Sequence, residues 1–155
     1  LVNADSIHFA DSLKFKTPKG KIVYGGGGIM PDIFVPLDTS IRSRFLSELI
    51  VKGTMSQFAL TYTDKERSNI KKYANPAAYN KGYLLGEKVF EELLNFANHD
   101  SIKIPSNAER LQIKSTILTQ LKALIARNIW RNEGYYQVIN TGDKAIEAAL
   151  REVVK

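Results

Sequence analysis

Hydrophobic and polar positions change rhythm near residue 38 of this chain. Before it, short apolar runs alternate with turn residues. Phe9, Leu13 and Phe15 are spaced for a partly buried extended segment, and Thr17-Pro18-Lys19-Gly20 reads as a β-turn with Pro second and Gly fourth. Ile22-Val23-Tyr24 predicts a short strand, and Ile33-Phe34-Val35-Pro36-Leu37 predicts another beyond a run of four glycines, Gly25 to Gly28.

After residue 38 the apolar positions recur every three or four residues. Asp38, Thr39 or Ser40 can cap a helix carrying Ile41, Phe45, Leu46, Leu49 and Ile50, which stops near Gly53. A second helix starts at Thr54 with Met55, Phe58, Ala59 and Tyr62, and ends before the Asn75-Pro76 breaker. A third opens around Gly82 with Leu84, Leu85, Val89, Phe90, Leu93, Leu94 and Ala97, and closes at Asn98-His99. Ile102 to Pro105 read as a connector, after which Ser106 or Asn107 can cap the longest helix. Its broad face is Leu111, Ile117, Leu118, Leu121, Leu124, Ile125, Ile129 and Trp130, and Gly134 is expected to stop it. Thr141 or Asp143 then starts a terminal helix with Ile146, Ala149, Leu150 and Val153.

The expected fold is mainly α with a small β portion. Residues 1–38 form a β-rich stub, and residues 39–155 form a bundle of four or five helices. Three short strands cannot bury both faces of a sheet, so the stub is expected to belong to a larger one.

Composition changes this picture little. At 155 residues and 44% hydrophobic, the chain suits one ordinary domain or a small domain with an appendage. The net charge of +6 is spread among interleaved acids and bases, with no block resembling a nucleic-acid arm. Cysteine is absent, which excludes disulfides and thiolate metal sites. No apolar run approaches the ~20 residues of a membrane span. The sequence starts at Leu1 rather than Met and shows no signal-peptide pattern, so a fragment or a processed product is expected.

Candidate chemistry is sparse. The four glycines suit an anion-cradling loop, yet no Gly-Lys-Ser/Thr ending follows, and Pro31-Asp32 leads to a strand rather than a helix N-terminus. Ser68-Asn69-Ile70-Lys71 has Ser-x-x-Lys spacing, but a nucleophilic pair needs a desolvated lysine, and Asp64, Lys65, Glu66, Arg67 and Lys72 surround it. His8 and His99 are the only histidines, lie far apart, and make neither a triad nor a metal site. Arg127, Trp130, Arg131, Tyr135 and Tyr136 form a basic and aromatic cluster of the kind that stacks on bases or holds a peptide. The alternative, which the pattern favours, is that Trp130 and the tyrosines pack the last helix against the longest one, with Tyr135-Tyr136 as a buried elbow.

The run Lys16-Thr17-Pro18-Lys19-Gly20 followed by Val23-Tyr24-Gly25-Gly26-Gly27-Gly28-Ile29-Met30-Pro31-Asp32-Ile33-Phe34-Val35-Pro36-Leu37-Asp38 resembles the C-terminal region of the C-terminal processing peptidases, or tail-specific proteases. In that family a Gly-Ile-x-Pro-Asp element closes the protease core. Leu121-Lys122-Ala123-Leu124-Ile125-Ala126-Arg127-Asn128-Ile129-Trp130 and Tyr135-Tyr136-Gln137-Val138-Ile139-Asn140 are similar to the helical extension of a long-tailed branch. The resemblance spans nearly the whole chain and is most specific at residues 16–38.

The resemblance implies a serine endopeptidase with a Ser-Lys dyad, often with a PDZ domain, working in the periplasm or cell envelope. The dyad motifs lie upstream of the Gly-Ile-x-Pro-Asp element, so no residue here inherits a catalytic role, and no cofactor or metal site is assigned. The implied partners are the protease core of the same polypeptide, protein or peptide substrates of the parent enzyme, and a further copy of the chain; nucleic acid is not expected. The alternative function is a helical module binding a peptide or nucleic acid through Arg127 to Tyr136.

Overall fold

The computed structural model describes residues 11–20, 22–25, 33–36 and 43–154. The chain divides into two compact units, Leu1–Thr39 and Ser40–Lys155. The fold is mainly helical with one small antiparallel sheet.

In the first unit a 3-10 turn, Asp11–Leu13, leads into strand β1 (Lys14–Lys16), which pairs with β2 (Ile22–Tyr24). The register sets Phe15 opposite Val23 and Lys16 opposite Ile22. The expected turn forms: the Gly20 amide donates to the Thr17 carbonyl at 2.8 Å, and Gly20 adopts φ +83°, which only glycine takes without strain. The ribbon is short and its apolar side chains are uncovered. Phe15 is 58% exposed and Ile22 50%, so the burial expected of Phe15 is corrected. Residues 33–36, expected to be a strand, are irregular; Pro36 lacks the N–H that a ladder needs. Phe9, Gly26 to Gly28, Pro31-Asp32, Leu37 and the proposed caps Asp38, Thr39 and Ser40 lie outside the described residues, as do Ile41 and the expected boundary at 38/39.

The second unit contains six helices among the described residues. Helix α1 (Arg44–Val51) is capped by Ser43, whose Oγ accepts from the Leu46 amide and donates to Glu109 at 2.8 Å. It buries Phe45, Leu46 and Leu49, while Ile50, expected on that face, is exposed. Gly53 at φ +73° turns the chain into α2 (Thr54–Ile70). The Asn75-Pro76 breaker does more than end α2. Asn75 accepts from the Ala78 amide, Pro76 occupies the first turn, and a short helix the pattern did not predict, α3 (Pro76–Gly82), follows.

Leu84 and Leu85 fall in the next connector, and α4 spans Glu87–His99. Ser106 caps α5 (Asn107–Ile139), as expected, and Asp143 caps α6 (Lys144–Val153). α5 packs against both α2 and α3, and α2 also packs against α1 and α4. The core gathers Leu49, Tyr79, Phe90, Leu93, Ile117, Leu121 and Ile125. Leu111, expected on the buried face of α5, is exposed, and Ile113 takes its place in the core.

The break in α5 is not at Gly134. The backbone leaves helical geometry at Trp130 (φ −115°, ψ 15°) and Arg131 (φ 59°, ψ −144°), then resumes the helix. In a straight helix, residues eight apart would lie ~12 Å apart along the axis. Here the bend brings Gly134 so close to Ala126 that an added Cβ would sit 2.6 Å from the Ala126 carbonyl oxygen. Gly134 is the residue that permits the fold-back, and it lies inside the second segment. Val138 of that segment is buried in the core.

Candidate functional site

The bend splits the basic and aromatic cluster into a packed half and an open half. Trp130 turns inward, its ring 5.2 Å from that of Tyr79, so its partner is α3 rather than the last helix. Tyr135 and Tyr136 meet edge to face at 5.3 Å within the second segment of α5. They are not a buried elbow: Tyr136 is exposed, because residue 134 does not end the helix.

Arg127 and Arg131 turn to the other side. With Ser56, Ala59, Leu124, Asn128 and Asn132 they line an open groove of about 540 Å³ between α2 and α5. The Arg127 guanidinium lies 5.9 Å from the Tyr135 ring centroid, a cation–π contact that limits its freedom. The Asn128 amide donates to Thr63 Oγ at 3.0 Å, and that hydroxyl donates to the Ala59 carbonyl at 2.6 Å. Among the described residues, no carboxylate lines the groove. The two arginines were visible in the sequence, but Ser56, Asn128 and Asn132 carried no signal. Neither Gly nor Pro marks residues 130–131, so nothing announced the bend that gathers them.

Behind Trp130 lies a tyrosine cluster that the sequence reading also missed. Tyr79 is fully buried, stacks on Tyr83 at 5.0 Å and meets Tyr73 edge to face. The Tyr62 and Tyr83 hydroxyls are 3.1 Å apart. Burial pushes the Tyr79, Tyr83 and Tyr62 hydroxyls above the usual phenol range, because the phenolate would lose hydration. Lys122 donates to the Asn80 carbonyl at 2.6 Å beside Tyr79, and partial desolvation lowers its pKa. The burial of Tyr79 and the ring-to-ring contacts among Tyr73, Tyr79 and Tyr83 make this cluster a packing element.

The remaining candidates do not assemble. Ser68 and Lys71 are both exposed, on and just after the last turn of α2, among the Arg67–Asp64 pair and the Asn69–Glu66 hydrogen bond. That is a solvated face without the dry pocket a neutral lysine requires. His99 is exposed at the end of α4, whereas His8 and the glycines after Gly25 lie outside the described residues. Among the described residues, no group of three His, Asp or Glu side chains could hold a metal ion. No helix there is long and apolar enough to cross a membrane.

No curated protein and no solved structure matches the chain. A family match does exist, and it runs from Phe45 in α1 to Asn132 just past the bend, more than half of the sequence. It contains every residue that lines the groove. The chain belongs to the family of unknown function DUF8443, which it matches over residues 45–132.

Proposed function

We propose that this chain is the C-terminal part of a serine endopeptidase of the C-terminal processing type. It contributes the last strands of the protease core and an accessory helical domain without an active site of its own. That domain packs on the core, promotes assembly or shapes substrate access. The reading rests on the resemblance at residues 16–38, and one structural observation supports it. The β1–β2 ribbon, whose second strand lies in that segment, leaves Phe15, Ile22 and Val23 exposed. A two-stranded ribbon is marginal in water, and an uncovered apolar edge invites a neighbouring strand. A larger sheet in the same polypeptide would supply both strand partners and cover. By the same resemblance the protein works in the periplasm or cell envelope.

The test is a peptidase assay on the full product of the gene, with a protein substrate bearing an unstructured C-terminus. Cleavage is expected from the full product and not from residues 1–155 alone. Replacing the serine of the dyad should abolish it, and cell fractionation should place the product in the envelope. A full product with no peptidase activity, or robust cleavage by this chain alone, would overturn the proposal.

A further inference from the structure

We propose that the groove at the bend of α5 binds an acidic peptide segment, whose carboxylates are held by Arg127 and Arg131. The proposal stands independently of the peptidase reading. Its first support is charge. Arg44, Arg67 and Arg110 each reach a carboxylate, on Glu48, Asp64 and Glu91 respectively. Arg127 and Arg131 have no such ion pair among the described residues, and they share one groove whose other polar lining is Ser56, Asn128 and Asn132. Two guanidinium forks beside neutral hydrogen-bonding side chains match the planar, bidentate geometry of a carboxylate. The net charge of +6 adds long-range attraction for an acidic partner.

The second support is backbone strain at the same place. Arg131 stands at φ 59°, ψ −144°, a conformation in which glycine is at ease and a long side chain is not. Glycine would serve the bend better, so the arginine is kept there at a cost in stability, and its side chain lines the groove. Peptide is favoured over nucleic acid by what the aromatics do. Trp130, the best base-stacking surface in the cluster, is turned onto Tyr79, and the apolar lining of the groove is the aliphatic pair Ala59 and Leu124. That lining suits the short methylene stem of Glu or Asp and includes no ring for a base.

The experiment is fluorescence anisotropy at low salt with labelled Glu-rich hexapeptides. The arms are a free C-terminus, an amidated C-terminus, the Gln counterpart of each, and a single-stranded thymidine oligonucleotide. Glu peptides are expected to bind and amidated Gln peptides not to. Loss of binding on amidation alone would assign the chain-terminal carboxylate, and its persistence would assign the side chains; either result supports the site. Arg127→Gln and Arg131→Gly should each weaken binding roughly tenfold or more, the worth of a charge-assisted hydrogen bond. Arg131→Gly should at the same time raise the melting temperature, which separates lost binding from lost folding. Arg151→Gln on α6 should leave binding unchanged. Equal affinity for Glu and amidated Gln peptides, retained affinity in both groove variants, tighter oligonucleotide binding, or no binding to any peptide would overturn the proposal.

Discussion

Gly134→Ala is the sharpest test of the bend. An added methyl would lie 2.6 Å from the Ala126 carbonyl oxygen, 2.9 Å from its carbon and 2.9 Å from Trp130 Cβ. Ordinary carbon–oxygen contacts begin near ~3.3 Å, so the overlap is about 0.7 Å. Two of the three atoms are backbone, which no rotamer change can move aside. Overpacking of this kind costs about 1–3 kcal/mol. Gly134 has a helical backbone, so alanine would otherwise gain about 0.5–1 kcal/mol there. The net expectation is a loss of up to about 2.5 kcal/mol, centred on about 1.3 kcal/mol, or roughly 5 °C in melting temperature for a helical unit of this size. Thermal unfolding followed by circular dichroism at 222 nm measures it, with the native helical signal retained. A variant as stable as the parent, or more so, would mean that α5 does not fold back on itself at Gly134, and the account of the bend would fail.

Three further outcomes follow from the core and its edges. Leu121→Ala, at a fully buried site of α5, should cost about 2–5 kcal/mol in urea unfolding, because the cavity collapses only partly. Ser43→Ala removes both the α1 cap and the hydrogen bond to Glu109, and should cost about 1–2 kcal/mol by the same assay. Alkaline pH should destabilise the fold. Burial raises Tyr79, Tyr83 and Tyr62 above the ordinary value of 10.0, so the native state keeps protons that the unfolded chain releases. Their contribution is intact below about pH 10 and is lost as pH climbs toward the folded values. Lys122, lowered by desolvation, acts in the opposite sense below 10.5, but it is one group against three. The urea midpoint should therefore fall between pH 9.5 and 11; a flat or rising midpoint would refute the tyrosine account.

The division into a strand-bearing start and a helical remainder was legible because apolar spacing is a local property. Periods of two and of three to four residues reflect which face of an element can meet a core, whatever that core turns out to be. Gly20, Gly53, Ser106 and Asp143 announced turns and caps for the same reason: the missing Cβ of the two glycines permits positive φ, and the side-chain oxygens of the other two accept from nearby backbone amides. The short helix α3 was missed because Asn75-Pro76 reads equally as a stop and as a start. The misplaced end of α5 is more instructive. Gly134 looks like a helix terminator, yet it is retained as glycine because a distant carbonyl occupies the space of its Cβ.

The groove shows the same limit. Arg127 and Arg131 were conspicuous in the sequence, but their separation from Trp130 was not, since that depends on Tyr79 arriving from α3 to take the indole. The strained turn at Arg131 is likewise unmarked in the sequence; beyond it Val138 enters the core and Gly134 closes on Ala126. The sequence by itself determined the helical character, the caps and the apolar stripes, because these follow from interactions within a few residues. Only the tertiary structure decided where the longest helix breaks, which aromatics are sequestered and which arginines share a groove. The sequestered indole and the groove depend on α2 and α3 meeting α5 from far away in the sequence, and the break depends on Gly134 closing on Ala126 across a bend; no helical periodicity encodes either.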